Sequence, residues 1–271
     1  MTRRSRTDVV GISCGLGNQL FQYSWALWLR ASGRAVVLDL SVLNKGVRSF
    51  GLSAIDPAFD FETTGLPRWV PSPSNRAPTV GKGVRIAVGP RRVVNEDRAL
   101  TPMEHDRSRP AWWDGYWQNR TMVLDVIDQL RRRIVPREPI DDRIGLHVRR
   151  DDFVEIGRDL APDYYRRAVA ELCANHPHLV GIDIYSDDTA WCEMHLSDLA
   201  LQATVQTGGA AHDDLLDLAS HRHLVLSLGT FSWWASHLVE RPAGVVVAPL
   251  DPAPQAYVPL DDPGWLLVPT V

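Results

Sequence analysis

The densest chemistry in the chain lies at His147-Val148-Arg149-Arg150-Asp151-Asp152, where an apolar run delivers two adjacent arginines and two carboxylates into a loop. The planar fork of arginine matches phosphate oxygens two at a time, so the pair suits a diphosphate anion. A solvated charge run is the competing reading of such a string. The position directly behind a strand, with His147 still in strand phase, favours a site. Three further segments carry unusual residues where a strand ends. Cys14-Gly15-Leu16-Gly17-Asn18-Gln19 is a glycine-containing turn leading into a helix, where unpaired amides and the helix dipole favour an anion. Ser227-Leu228-Gly229-Thr230-Phe231-Ser232-Trp233-Trp234 makes a second strand-to-helix turn, in which Thr230 can cap the helix, Thr230 and Ser232 add hydroxyl donors, and the tryptophans anchor the helix in the core. Trp112, Trp113, Tyr116, Trp117 and Gln118 form an aromatic cluster that reads more readily as core than as a sugar platform.

Between the arginine and Gly229 segments lie Tyr185-Ser186-Asp187-Asp188 at another strand end and Asp213-Asp214 at a helix start. These carboxylates could accept from a nucleobase or from ribose hydroxyls, or Asp213 or Asp214 could cap its helix. An aspartate pair also raises a metal, but the neighbouring arginines already supply the charge that a divalent cation would bring, and no metal site is expected. Asp39 ends a strand where a ribose-binding acid of a dinucleotide fold would lie, yet Leu20 stands in place of the third glycine of that fingerprint, which leaves a dehydrogenase a minor alternative.

These segments need strands to present them. Val9–Ser13, Asn18–Arg30 and Ala35–Leu40 read as a βαβ unit. Ile144–Val148, Asp163–Asn175, Gly181–Tyr185, Leu224–Leu228 and Phe231–Glu240 again alternate strand and helix. The Pro-, Ser- and Gly-rich stretch from Leu66 to Pro90 reads as a long loop. Ile134 to Asp142 punctuates the chain, so two α/β domains are expected, 1–140 and 141–271. Ligands of parallel sheets sit beyond the carboxyl ends of strands, which is where these motifs fall.

The chain has 271 residues, 45% of them hydrophobic and 23% charged, with a net charge of −4 despite an arginine-rich set of basic residues. That balance fits a packed globular protein and argues against general nucleic-acid binding. Three cysteines, Cys14, Cys173 and Cys192, suggest neither a disulfide framework nor a zinc site, and fit a reducing compartment. No stretch approaches the 18 apolar residues of a membrane span, so a cytoplasmic protein with at most peripheral membrane contact is expected.

Taken in order, GLGNQLFQY (15–23), DGYWQ (114–118), HVRRDD (147–152), YSDDTAWC (185–192) and SLGTFSWWASHL (227–238) resemble the bacterial α-1,2-fucosyltransferase family, and VVVAPLDP to PGWLLVP (245–269) resembles the ends of its members. The resemblance implies a GT-B-like architecture of two Rossmann-like domains facing a central cleft, with the C-terminal domain binding the GDP-sugar and the N-terminal domain on the acceptor side. It implies inverting, metal-independent transfer of L-fucose from GDP-fucose to a hydroxyl of a glycan acceptor, the 2-OH of a galactose-like sugar. No cofactor is needed beyond that donor substrate. By motif, Arg149 and Arg150 fall where related enzymes bind the donor diphosphate, with His147 and Asp152 beside them as catalytic candidates. Gly17, Asn18 and Gln19 would approach from the other domain, and Ser186, Asp187, Asp214, Gly229, Thr230, Phe231 and Ser232 complete the substrate-binding set. Asp152 and Glu155 are the nearest candidate bases. The family usually reads HxRRGDY, whereas this chain has Asp151 and Phe153 at the Gly and Tyr positions, so the loop is expected to differ because an aspartate does not adopt a positive φ freely. A transferase for another GDP-sugar, or a GDP-sugar-binding protein with weak catalysis, are the alternatives.

Overall fold

A computed structural model describes residues 7–43, 48–64, 92–95, 110–135, 137–250 and 262–270. The loop expected over Leu66–Pro90 lies outside these residues. The chain divides into two compact units, Met1–Arg133 and Ile134–Val271. Each is an open parallel α/β sheet.

The first unit contains strands β1 (Thr7–Gly11), β2 (Ala35–Asp39), β3 (Glu62–Thr64), β4 (Arg92–Asn95) and β5 (Ala111–Asp114), ordered β3-β2-β1-β5-β4 and parallel throughout. Helix α1 (Leu16–Ala31) carries no β-branched residue and twelve buried ones, so it lies almost wholly inside. It ends where Gly33 takes a φ of +79°, a left-handed position that a side chain would disfavour. Short α2 (Leu52–Ile55) and α3 (Arg120–Arg131) are the other helices of this unit among the described residues, and Asn119 caps α3 by accepting from the Met122 amide at 3.0 Å. Trp113 and Trp117 are core, as expected, whereas Trp112 is half-buried: Trp25 stacks on Trp117 at 4.5 Å and meets Trp113 edge-on at 5.0 Å.

The second unit orders its six parallel strands β11-β10-β9-β6-β7-β8, from β6 (Ile140–Val148), β7 (Gly181–Ser186), β8 (Gln202–Val205), β9 (His221–Val225), β10 (Val246–Leu250) and β11 (Leu266–Pro269). The last five residues of β6 are all buried, the mark of a central parallel strand covered on both faces. Helices α4 (Asp151–Glu155), α5 (Pro162–Asn175), α6 (Thr189–His195), α7 (Ala211–Ser220) and α8 (Thr230–His237) alternate with the strands. Proline opens α5, where no amide hydrogen is needed. Ile144, Leu146 and Val148 of β6 pack with Ile182 and Ile184 of β7 and with Tyr164, Tyr165 and Val169 of α5. The ninth strand ends at Val225, not Leu228, because the chain leaves the sheet toward Gly229, whose φ is +115°.

One buried aspartate holds each sheet at its amino-terminal half. In the second unit Asp183 accepts from Arg143 at 2.7 and 2.8 Å, from Gln206 at 2.9 Å, and faces His221 Nε2 at 3.1 Å. Burial pushes its carboxyl up, but His221 and Arg143 outweigh that and hold it well below the usual range. In the first unit Asp8, fully buried on β1, accepts from the Ala111 amide at 2.8 Å and pairs with Arg34 through its Nε and Nη2. One carboxylate therefore ties β5 and the turn before β2 to β1. Removing it strands buried donors, so Asp8→Ala is expected to destabilise the first unit by about 3 to 5 kcal/mol. Urea unfolding measures this; an unchanged midpoint would show that the carboxylate holds nothing.

Candidate functional site

The second sheet grows outward in two directions from β6 and β9: β7 and β8 on one side, β10 and β11 on the other. The strand order reverses between β6 and β9, which leaves a crevice at their carboxyl ends, and this switch point is where open α/β sheets bind ligands. The ends of three adjacent strands, β9, β6 and β7, deliver the Gly229 turn, the arginine pair and the aspartate pair to one edge.

His147 is the last side chain but one on β6 and is buried. Its Nδ1 lies 2.6 Å from Ser232 Oγ and 2.7 Å from Ser227 Oγ, and the Ser227 amide donates to Ser232 Oγ at 3.3 Å. Its ring stacks on Phe231 at 4.9 Å. Burial, and then the charge of Arg149, push the imidazole down to about 3, so it is neutral at ordinary pH. His147 therefore ties the end of β6 to the first turn of α8, and Ser232 spends its hydroxyl in that bond instead of facing a ligand. Thr230 does not cap α8. Gly229 occupies the N-cap with no side-chain cap, which leaves the first amides of the helix to be satisfied by something else.

Neither arginine stands as a bare clamp. Arg149 bridges Asp187 and Asp152 through its two terminal nitrogens. Arg150 donates to Asp188 at 3.1 Å and to Asp159 at 2.8 Å, and its guanidinium lies 4.1 Å from the centre of the Trp191 ring. Asp187 also accepts from the Arg150 amide at 2.8 Å, which fixes the backbone between the arginines. Asp188 caps α6 by accepting from the Trp191 amide at 3.1 Å, while its own amide donates to Ser186 Oγ at 3.0 Å. Asp159 was not singled out in sequence because it follows no motif spacing, and Trp191 entered only as part of the YSDDTAWC run, with no role given to it.

The backbone at position 151 takes no positive φ, as an aspartate requires. Asp151 is the first residue of α4, and the positive φ of this segment falls at Gly157. Phe153 swings back toward Gly229, where an added Cβ would sit 3.5 Å from the Phe153 ring, so α4 leans on the α8 turn. Glu155 is exposed, and Asp152 is 61% exposed. Asp213 and Asp214 do not cap α7, whose N-cap is Ala210; Asp213 pairs with Arg137 at 2.7 Å. Asp214 lies against Gly209, and burial, followed by Asp217 and Asp213, raises its carboxyl above the usual range.

The first unit follows the same rule by itself. Its strand order reverses between β1 and β5, and the turns after those strands carry GLGNQ and DGYWQ. Gln118 donates to Asn18 Oδ1 at 2.9 Å, Gln22 donates to the Gly115 carbonyl at 3.0 Å, and Cys14 Sγ lies 3.3 Å from the Tyr116 hydroxyl. Two non-glycine residues here hold a positive φ, Cys14 at 63° and Trp117 at 59°. Such strain persists only where the surroundings enforce it. Gln19 is a structural residue: its amide donates to the Cys14 and Ser49 carbonyls and accepts from the Gly51 amide. Gly17 is buried, Asn18 remains partly exposed, and Asp39, the would-be ribose acid, turns on its own loop by accepting from the Ser41 amide and hydroxyl.

Two guanidiniums, a run of helix amides and exposed carboxylates at a strand-order reversal can hold a phosphorylated leaving group beside a proton acceptor. Several known proteins are similar to the chain. The α-1,2-colitosyltransferase of Escherichia coli is 22% identical over 93% of this chain and 98% of its own length. Galactoside 2-alpha-L-fucosyltransferase SEC1 of Bos taurus is 33% identical over 105 residues, 35% of this chain and 28% of that enzyme. Among solved structures, the E. coli heptosyltransferase WaaC with ADP-2-deoxy-2-fluoro heptose aligns over 97% of this chain and 92% of its own at 11% identity, with a TM-score of 0.49. Residues 96–258, which include the arginine pair, the aspartate pair and the Gly229 turn, match glycosyl transferase family 11: the chain belongs to that family and is a glycosyltransferase.

Proposed function

We propose that the chain transfers L-fucose from GDP-fucose to a hydroxyl of a glycan acceptor, the 2-OH of a galactose-like sugar, with inversion and without a metal. The observation that carries this reading is the meeting of Arg149, Arg150, Asp187, Asp188 and the uncapped start of α8 on three adjacent strand ends. The names of the two relatives add support, since both describe 2-linked transfer of a sugar. The three cysteines are free thiols, in keeping with the cytoplasmic location assigned in this proposal.

In this reaction the acceptor oxygen bonds to the anomeric carbon as the bond from that carbon to the diphosphate breaks; GDP leaves with the electron pair and the hydroxyl proton passes to a base. The chief task is to stabilise charge growing on the diphosphate with groups already in place. Arg149 is the group that exchanges partners. Its link to Asp152 joins a half-buried guanidinium to an exposed carboxylate three residues away; solvent-facing pairs are worth only about 0 to 1 kcal/mol, so a diphosphate displaces that carboxylate readily. Asp152, once released, is left beside the leaving group as the candidate base, with Glu155 second. Arg150, gripped by Asp159, Asp188 and Trp191, keeps its orientation throughout. A role of the Gly17-Asn18 turn toward the acceptor belongs to the same proposal.

A second reading, a different GDP-sugar donor, is favoured by one observation: the relative that matches along 98% of its length is named for colitose and not for fucose. Calorimetric titration with GDP, GDP-fucose, GDP-mannose and NAD, each with and without EDTA, separates the cases. Chelator-insensitive binding of GDP and GDP-fucose is expected. Loss of binding in EDTA would remove the metal-free mechanism, and binding of NAD alone would remove the nucleotide-sugar reading.

Arg150→Lys keeps the charge but loses the fork, and kcat/KM is expected to fall roughly a hundredfold, or about 2.7 kcal/mol; near-normal transfer would dismiss the clamp. Asp152→Asn is expected to lower kcat while leaving GDP binding intact, and full turnover by that variant would pass the base role to Glu155. His147 gains its proton only near pH 3, so kcat/KM between pH 5 and 8 is expected to have the same shape in the native enzyme and in His147→Gln. A limb that vanishes in the variant would make His147 the base.

A further inference from the structure

Away from the arginine pair, three imidazoles from two distant segments converge in the second unit. His176 terminates α5, His178 follows after Pro177, and His223 lies buried on β9. One ring nitrogen from each lies within 4.8 Å of the other two. The rings are not stacked: they meet at 48° to 89°.

We propose that His176, His178 and His223 bind a divalent transition cation of the zinc class, which braces the end of α5 against β9. An all-imidazole set selects zinc, copper or nickel over magnesium or calcium, whose ligands are oxygens. With zinc–nitrogen bonds of about 2.0 to 2.1 Å, tetrahedral ligand atoms stand about 3.3 Å apart, so each nitrogen moves inward by less than about 1 Å. His176 and His178 sit on a surface turn that can supply the movement. Three protein ligands leave a fourth position for water. Capture has one definable cost. His223 Nδ1 accepts from the Val245 amide at 3.3 Å, and coordination through either ring nitrogen ends that long bond, by occupying the lone pair or by moving the ring proton to Nδ1. Three metal bonds replace one weak hydrogen bond.

The brace stands apart from the donor site. His223 pairs with Ile144, five residues before Arg149 on β6, or about 16 Å back along the strand. The cation therefore acts on stability and not on the diphosphate.

The test uses the full-length chain without a histidine tag, stripped with chelator and dialysed. Titration with zinc chloride alone is expected to show one equivalent bound and to raise the unfolding midpoint by several degrees. The double variant His176→Ala/His178→Ala alters only the surface turn; it is expected to unfold at the metal-free midpoint of the native chain, to lose the zinc-dependent rise and to bind GDP as the native chain does. A native chain that takes up no zinc, or a double variant that binds it as tightly, would overturn the assignment.

Discussion

Every strand paired in either sheet runs parallel to its neighbour, and this single constraint places the chemistry. Parallel strands all end at the same edge, so segments scattered over eighty residues, from His147 to Ser232, arrive side by side once β9, β6 and β7 become neighbours. The crossovers that parallel pairing demands supply the helices, and the helix after β9 starts with amides that no side chain caps. Without the strand-order reversal between β6 and β9 the two turns would close over one another and leave no opening.

Electrostatics then refine what topology assembles. The arginine pair is held by four carboxylates, Asp152, Asp159, Asp187 and Asp188, so the cluster is anionic before a ligand arrives. The four are not equivalent. Asp187 and Asp188 accept from backbone amides at the root of the loop and are fixed, whereas Asp152 touches its arginine from an exposed helix. That graded hold distinguishes a positioning acid from a displaceable one. His147 performs the complementary task on the other side, as a neutral linker between β6 and the serines of the α8 turn.

Strand ends were legible in sequence because buried apolar runs stop abruptly at polar groups, as Ile144–Val148 stops at Arg149. Element types followed for the same reason, and the tryptophans at 113 and 117 read correctly as core. What stayed hidden is which polar group faces its own chain. Ser232 and Gln19 look like ligand-binding residues, yet one bonds His147 and the other three backbone groups. Asp159 was invisible because its partner Arg150 lies nine residues away, across α4 and the turn that follows it. At Asp151 the sequence pointed only to a changed loop; the structure adds that the residue opens a helix without a positive φ.

The pairing of β1 with β5 also sets a schedule for synthesis. Val9 and Val10 find their β5 partners only at Trp112 and Trp113, and the Ala111 amide that Asp8 binds belongs to the same late strand. At ribosomal rates of 5 to 20 residues per second, about 5 to 20 s pass between emergence of the two strands. For that interval the nascent chain presents an apolar strand with one unpaired edge and a carboxylate short of a donor. Productive folding of the first unit thus waits on residue 113, and a chaperone that shields β1 during translation would raise the yield of native enzyme more than one that acts after release.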